Sequence, residues 1–480
     1  MTLTVIWLLP LIGAILVAGM PPHLAKYMAI LVALGALAIA GFVALSFAPN
    51  WPHYQFDESQ LWIPQLHIFY RLGIDGISLW LVLLNAFLTL IALLATPTGM
   101  RGASRFIALM LAMSAGMAGV LLASDLVLFY VFWDAMLIPA YFLLWLFGEG
   151  ERPGRAALKF VLFTLVGSLL MLVGVIGEYV FTGQQTFDLS KLPTIAPSPA
   201  IQFGLFGVFA LAFGIKTPLF PLHSWLPDAY AAAPTPMLVT FAGMMGKTGA
   251  YGFLRIAIPL FPNPSYWWDW HWVIPVLAVG GIIWGALMAI AQKDMKLLVA
   301  YSSVSHMGFI ILGIFALNVQ GQQGALLQMV NHGIIVPALF LMVGWIYDRT
   351  GTFDRSSVMG LASRMPIFAG VLTVVVLAAL GLPGLNSFVG EFMTLLGAWE
   401  RAPALAIAGA IGLILAPIYM LRFFQGAMYA PEPYPRPLDD IGAGQLTLLA
   451  PLVVLMFALG LAPGVLTTLM TSVAQQGLAR

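Results

Sequence analysis

Apolar runs of roughly 20 residues recur along most of the chain, and this feature limits its possible folds more than any other. A helix of that length rises about 30 Å, which matches the hydrocarbon core of a bilayer. Of the 480 residues, 61% are hydrophobic and 8% are charged, whereas soluble proteins have about 25% charged residues. The sequence therefore predicts an all-α polytopic membrane protein.

The lengths of the apolar runs predict about 14 transmembrane helices. We place them approximately at 2–20, 27–47, 73–95, 105–123, 126–147, 156–182, 201–221, 230–261, 272–291, 297–317, 322–348, 366–398, 404–427 and 444–470. Several of these segments exceed the spanning length and contain internal proline or glycine, so we expect broken helices there. The segments concerned are 201–221, 230–261, 322–348 and 366–398.

A weak internal similarity predicts two five-helix repeats of opposite membrane orientation. Predicted spans 5 and 10 carry Asp134 and His306, while spans 7 and 12 are interrupted near Lys216 and Glu391. Inverted repeats with broken helices are typical of transporters. The resulting domains are an N-terminal three-helix region, a first repeat, a second inverted repeat, and a C-terminal loop with the last helix, at 1–104, 105–261, 272–427 and 428–480.

The distribution of lysine and arginine predicts the orientation in the membrane. Thirteen of these residues fall in predicted loops after odd-numbered spans, and four fall after even-numbered spans, namely Arg71, Lys191, Arg255 and Arg401. Cytoplasmic loops carry the excess of positive charge. We therefore expect a multi-pass protein of the cell inner (plasma) membrane with both termini on the outer side.

Several classes of function are excluded by what the sequence lacks. The chain has no cysteine, so it cannot form disulfides or hold thiolate-ligated iron–sulfur clusters. It contains no GxxxxGK[ST] motif, which makes an ATP-driven pump a poor hypothesis. A net charge of +1 gives no reason to expect a nucleic-acid partner.

The few ionisable residues within the predicted spans are the candidates for chemistry. A charge on a spanning helix costs about 3 kcal/mol or more, so each needs a partner, water or a neutral state. Desolvation disfavours the charged form, which lets such groups exchange protons near neutral pH. The sequence therefore predicts a path for protons or other small cations through Asp134, Lys216, Lys247, His306, His332 and Glu391, with His223 near its cytoplasmic entry.

Other interpretations of these residues stay open. Asp134 and Glu391 could simply pin helices together through salt bridges. The glycines around Lys247 allow close helix packing, whether or not they also leave room for water. His306 and His332 could be packing residues, proton relays or axial ligands of a haem.

The motifs that contain these residues resemble the antiporter-like membrane subunits of respiratory complex I. The resemblance extends over about residues 70–430 and is carried by FYVFWDAMLIPAYFLLW, FGIKTPLFPLHSWLPDAYAAAPTP, GKTGAYGFLRI, AYSSVSHMGF, MVNHG and LPGLNSFVGEF. It implies 14 helices, two inverted five-helix repeats and a hydrated polar axis along the membrane midplane. The acid Glu391 is similar to one branch of the family, since the sister subunits and Mrp-type antiporters generally have lysine there.

The resemblance also implies a role for each residue. Lys216 is implied to be the lysine of a first half-channel, with Asp134 as its acidic partner and Lys247 as the link between halves. His306 and His332 would extend the axis to Glu391, which would release or accept the proton. The sequence departs from the family at Asp134, where glutamate is usual, so its shorter side chain predicts looser or water-bridged pairing with Lys216.

Partners and cofactors follow from the same resemblance. The chain is expected to be a proton-translocating subunit of an NADH:quinone oxidoreductase, with the lipid bilayer and other membrane subunits, including sister antiporter-like subunits, as partners. NADH, FMN, iron–sulfur clusters and quinone would be bound elsewhere, and this chain would hold no cofactor or metal. The alternatives are an Mrp-like sodium/proton antiporter subunit and the equivalent subunit of a membrane-bound hydrogenase or ferredoxin-linked complex.

Overall fold

The computed structural model of the protein describes residues 1–49, 53–150, 152–183, 186–194, 197–262, 268–429 and 437–469. Within these residues, 11 helices are long and apolar enough to cross a membrane. Two shorter apolar helices, Thr2–Val17 and Pro366–Ala379, accompany them. The chain is thus a mostly helical, polytopic membrane protein, as its run lengths predict.

The helices of the first half are, in chain order, α1 (Thr2–Val17), α2 (Pro22–Leu45), α3 (Ser78–Ala95), α4 (Ala103–Leu122), α5 (Leu126–Ala135), α6 (Leu137–Phe147), α7 (Pro153–Phe181), α8 (Pro199–Lys216), α9 (Trp225–Ala232), α10 (Thr235–Thr240), α11 (Gly246–Gly252) and α12 (Ile258–Leu260). Those of the second half are α13 (Trp268–Ala291), α14 (Met295–Ile314), α15 (Val319–Thr350), α16 (Pro366–Ala379), α17 (Asn386–Arg401), α18 (Pro403–Met428) and α19 (Ala443–Leu461).

The described chain forms two compact units. Unit 1 contains Met1–Pro218, Ala232–Ile274 and the described residues from Thr468 onward. Unit 2 contains Leu219–Ala231 and Pro275–Thr467. In unit 1, α4 packs against α1, α3, α5 and α6, and α7 packs against α8. In unit 2, α15 packs against α14, α16 and α17.

A β-hairpin between α2 and α3 is a departure from the all-α expectation. Its strands β1 (Gln55–Ile63) and β2 (Ile68–Ile74) pair antiparallel. Arg71 on β2 lies 3.0 Å from the carboxylate of Asp57 on β1 and also pairs with Asp188. The sequence did not predict this hairpin. Its residues are too polar to span a bilayer, and Pro64 interrupts the alternation of polar and apolar residues that would indicate a strand, so the lengths of the apolar runs assign the segment to a loop.

Two of the predicted spans are interrupted beside candidate residues. The span 126–147 divides at Met136, two residues after Asp134, because Pro139 has no N–H to donate to the carbonyl of Ala135. The segment 366–398 divides between Ala379 and Asn386. Gly381 lies in this break with φ +80°, and a Cβ there would lie 2.8 Å from Oε2 of Glu391.

Of two other long segments in which a break was expected, one has irregular helical turns and the other is a continuous helix. The segment 230–261 contains π-helical turns at Phe241–Met245 and Phe253–Ala257. The segment 322–348, where a break was also expected, is instead one continuous helix, Val319–Thr350, despite Pro337. Neighbouring helices can satisfy the carbonyl that a proline leaves free, and this part of α15 is entirely buried.

A buried ion pair connects the start of α3 with the π-helical turn before α12. Nη2 of Arg255 lies 2.6 Å from Oδ2 of Asp75, and both side chains are largely buried. The guanidinium also lies 5.1 Å from the ring of Tyr54 and 5.5 Å from that of Tyr251. Arg255, assigned to a loop by the orientation count, is therefore a largely buried helical residue.

Gly249 allows α11 to approach the end of α8. A Cβ on Gly249 would clash with Oγ1 of Thr217 and would lie 2.7 Å from the carbonyl oxygen of Phe213. We expect Gly249→Ala to lower the free energy of unfolding by about 1–3 kcal/mol, because the helices must separate. The thermal midpoint of the detergent-purified protein measures this. Gly204→Ala, where no atom lies within 4 Å of the added Cβ, is the control; equal midpoints would show that α11 has room to move.

Candidate functional site

In unit 1, Lys216 is the last residue of α8 and its side chain is buried, with 1% exposed. The helix ends there because Pro218 follows and cannot donate a backbone hydrogen bond. Nζ lies 5.4 Å from the ring centroid of Trp133 and 6.0 Å from that of Phe160. Among the described residues, Nζ has no hydrogen-bond partner. The amine is therefore stabilised by aromatic faces and is otherwise available to exchange a proton.

Asp134 lies near the end of α5 and is held by two hydroxyl groups. Ser168 on α7 donates a short hydrogen bond to its Oδ1. The Tyr130 hydroxyl, one helical turn earlier on α5, also hydrogen-bonds to the carboxylate. Asp134 interacts electrostatically with Lys216, but no ion pair within 4 Å joins them in the described part of the chain. The looser or water-bridged pairing predicted from the shorter side chain stays a prediction.

Lys247 lies on α11, directly after the π-helical turn Phe241–Met245, and its side chain is fully buried. Its Nζ donates a 2.7 Å hydrogen bond to the carbonyl oxygen of Ala242. A π-turn shifts the backbone hydrogen-bond pattern by one residue, and such turns are frequent at functional sites. The turn thereby supplies a backbone acceptor for a lysine that would otherwise be desolvated without a partner.

In unit 2, Glu391 on α17 is the centre of a polar cluster. Its Oε1 accepts hydrogen bonds from Oγ of Ser387 at 2.9 Å and from Nε2 of Gln328 at 3.2 Å. Nδ1 of His306, on α14, lies 3.0 Å from the same oxygen. All four side chains are buried. Nδ1 makes no aligned hydrogen bond within the described residues, so exchange of a proton between the imidazole and the carboxylate requires the ring to turn toward the oxygen.

A small cavity adjoins this cluster. His306 and His332 lie with their ring centroids 5.7 Å apart, and both line the cavity together with Ser302, Gln328 and Ser387. Its volume for water-sized spheres is about 10 Å³, which is about the minimum that one water molecule requires. The space cannot accommodate a porphyrin, so the haem hypothesis finds no support. Within the described residues, no group of three histidines or carboxylates could hold a metal ion.

His223 is buried in unit 2, with 8% of the residue exposed. Its Nε2 lies 3.2 Å from Nε1 of Trp284, which donates a hydrogen bond to it. Its ring stacks on Phe220 with centroids 5.5 Å apart. The entry role predicted for His223 stays a prediction, and it requires the aromatic contacts to open.

The structure brings the predicted residues together in two groups. Asp134 and Lys216 neighbour each other in unit 1, and His306, His332 and Glu391 share the cluster of unit 2. Sequence reasoning missed the hydroxyl and amide partners of these groups. A polar side chain within an apolar helix could have indicated them. The partners concerned are Tyr130, Ser168, Gln328 and Ser387. Glu178 on α7 is also buried, and its carboxylate oxygens have no partner among the described residues.

Comparison with known proteins assigns the chain to a family. A family model described as "NADH:quinone oxidoreductase/Mrp antiporter, TM" matches residues 123–416, which include every candidate residue. The chain belongs to this family. NADH-quinone oxidoreductase subunit M of Mycobacterium tuberculosis (strain CDC 1551 / Oshkosh) is 39% identical, and the match covers 96% of this chain and 91% of that protein. The resemblance inferred from the motifs is thus confirmed, including the subunit M branch indicated by Glu391.

Two solved structures have the same fold as this chain. A chain of respiratory complex I from Thermus thermophilus with bound NADH matches with a TM-score of 0.91 and 34% identity, covering 99% of both chains. A chain of the Mrp complex from Dietzia sp. DQ12-45-1b matches with a TM-score of 0.89 at 23% identity, covering 99% of this chain and 96% of that one. The second likeness shows a shared fold alone.

Proposed function

We propose that this chain is the proton-translocating membrane subunit of a multi-subunit NADH:quinone oxidoreductase. Its role would be to couple quinone reduction elsewhere in the complex to proton movement through its buried residues. The observation that carries the proposal is Lys216, a buried amine with no hydrogen-bond partner among the described residues, beside a carboxylate that is engaged elsewhere. The relatives named subunit M and the structural match to complex I supply the context.

In the first unit, the separation of Asp134 and Lys216 would control the proton. At an effective dielectric of about 20, two unit charges 4 Å apart attract by roughly 4 kcal/mol. That energy changes the proton affinity of the lysine by about a thousandfold. Bringing Asp134 to Lys216 would therefore load the lysine, and withdrawing it would release the proton. Lys247 would receive the proton and pass it toward the second half.

In the second unit, the proton would pass along His306 and His332 to Glu391. Nδ1 of His306 lies 3.0 Å from Oε1 of Glu391, close enough for proton transfer once the imidazole ring turns toward that oxygen. The adjoining cavity provides space for about one water molecule. Ser387 and Gln328 hold Oε1 of Glu391 in place beside His306. His223 would admit protons at the opposite, cytoplasmic end.

The proposal includes finer features of architecture and assembly. We propose 14 transmembrane helices, of which 105–261 and 272–427 form two inverted repeats between the regions 1–104 and 428–480. The membrane is the cell inner (plasma) membrane, with both termini outside; the C-terminal residue lies beyond the described residues. Sister antiporter-like subunits are the neighbours in the bilayer. NADH, FMN, the iron–sulfur clusters and quinone bind to other subunits.

Purification of the complex through a tag on this chain tests the proposal. We expect mass spectrometry to identify NADH-oxidising, cluster-binding and sister membrane subunits. In liposomes, NADH and a quinone should drive proton uptake reported by a pH-sensitive dye, and Glu391→Gln should lower the proton-to-electron ratio several-fold because it cannot bind a proton as an acid. Gln323→Ala, which alters a partly exposed amide of α15 outside the cluster, is the control.

Different results would identify the alternatives. Sodium-dependent transport by the purified chain alone would favour an Mrp-like antiporter. Hydrogenase or ferredoxin-dependent subunits in the purified complex would favour the equivalent subunit of a membrane-bound hydrogenase or ferredoxin-linked complex. An unchanged proton-to-electron ratio in Glu391→Gln would remove Glu391 from the path.

A further inference from the structure

The hydrogen bonds of Asp134 hold it in one of two competing arrangements. Its carboxylate accepts from Ser168 and Tyr130, whereas Lys216 has no hydrogen-bond partner among the described residues. Ser168 lies on a different helix, α7, and is completely buried. Hydrogen bonds from hydroxyl groups to a carboxylate are among the strong ones. The hydrogen bond from Ser168 therefore competes with any movement of the carboxylate toward Lys216.

Lys216 also has a set of partners that does not require Asp134. Its Nζ faces the rings of Trp133 and Phe160, and Trp133 is the neighbour of Asp134 on α5. Aromatic faces attract an ammonium group, especially where water is excluded. A rotation at the end of α5 would alter the contacts of Trp133 and Asp134 with Lys216 together, and the interruption at Met136 lies two residues away.

We infer that Ser168 is a positioning residue that holds Asp134 away from Lys216 and thereby sets when the lysine gives up its proton. Tyr130 supports it from the preceding turn of α5. The separated arrangement described here is then the one in which the lysine lacks its carboxylate, and breaking the Ser168–Asp134 hydrogen bond precedes loading. This inference rests on the proposed proton-translocating function and identifies how its first step is controlled.

Ser168→Ala in the intact complex tests the inference. Without the Ser168 hydroxyl, Asp134 loses one of the two hydrogen bonds that hold it away from Lys216, so it pairs with the lysine more often. A lysine paired with a carboxylate keeps its proton to higher pH. We expect pumping at neutral pH to fall about threefold or more, and the pH of half-maximal pumping to rise by about one unit, which is a tenfold change in proton affinity. Ser168→Thr keeps a hydroxyl and should restore both values to within about twofold of the wild type.

The controls separate positioning from folding. Ser114→Ala removes another buried hydroxyl of unit 1, one that accepts from Thr89 and Asn85, and should leave the pH profile of pumping unchanged. If Ser168→Ala does not assemble, Tyr130→Phe removes the second hydroxyl from a partly exposed position and should shift the profile in the same direction by a smaller amount. Combining Ser168→Ala with Asp134→Asn should give no larger shift than Asp134→Asn alone.

Failure of this inference differs from failure of the proposed function. A wild-type pH profile in both Ser168→Ala and Tyr130→Phe, in a complex that stops pumping when Lys216 is replaced, overturns the positioning role alone. Pumping that survives replacement of Lys216 overturns the proposed function. A loss of pumping in Ser168→Ala that Ser168→Thr does not restore assigns Ser168 to packing and also contradicts the inference.

Discussion

Replacing Lys216 by alanine is expected to abolish coupled proton pumping while the complex still assembles. The loss follows because Lys216 is the amine that Asp134 would load and unload. Assembly should survive because Nζ makes no hydrogen bond within the described residues, so its removal leaves no donor or acceptor unpaired. Asp134 keeps its bonds to Ser168 and Tyr130. Removing a buried charge also removes its desolvation cost, which offsets part of the lost packing.

The measurement is the ratio of protons moved to electrons transferred, taken with the intact complex in liposomes. Lys216→Arg is the sharper variant, because arginine keeps the positive charge but cannot release a proton; it should also fail to pump. Lys191→Ala, which alters a lysine whose side chain is 67% exposed, is the control and should pump normally. A wild-type ratio in both Lys216 variants would remove the lysine from the proton path.

The general architecture of this protein could be predicted because the bilayer imposes a length on each helix. The apolar runs located the long helices to within a few residues, for example Pro153–Phe181 for the expected 156–182. The juxtaposition of Asp134 with Lys216, and of His306 with Glu391, came from the family motifs rather than from run lengths. Buried ionisable groups are rare in such helices, so the candidates were few.

Other features depended on packing that hydrophobicity does not report. Pro139 and Pro337 occupy similar apolar surroundings in the sequence, yet only the first interrupts its span. The π-turn that gives Lys247 its acceptor depends on a one-residue shift of hydrogen bonding. Likewise, which serine reaches which carboxylate depends on how α5 and α7 pack, so Ser168 could not be distinguished from other serines in spanning helices.

The surroundings of Arg255 also could not be predicted from hydrophobicity, since an arginine near the end of a span is expected to extend to the membrane surface. The structure instead pairs it with Asp75, which is 5% exposed. Replacing Arg255 by alanine leaves that carboxylate buried without its cation, because Oδ1 of Asp75 already accepts from Ile77 and Ser78 and Oδ2 loses its partner. Breaking a buried pair from one side costs about 3–5 kcal/mol. We therefore expect Arg255→Ala to lower the thermal midpoint strongly and to reduce the amount of folded chain.

The charge itself, rather than side-chain volume, should account for most of this loss. Arg255→Met combined with Asp75→Asn removes both charges while keeping similar volumes, and it should recover more than half of the lost stability, since a buried pair can be replaced by neutral groups at little cost. Arg105→Ala, at an exposed position, is the control and should change stability by less than about 0.5 kcal/mol. If the double variant is as unstable as Arg255→Ala, the lost contacts with Tyr54 and Tyr251 outweigh the ion pair. The anchoring of this turn of unit 1 would then be aromatic rather than electrostatic.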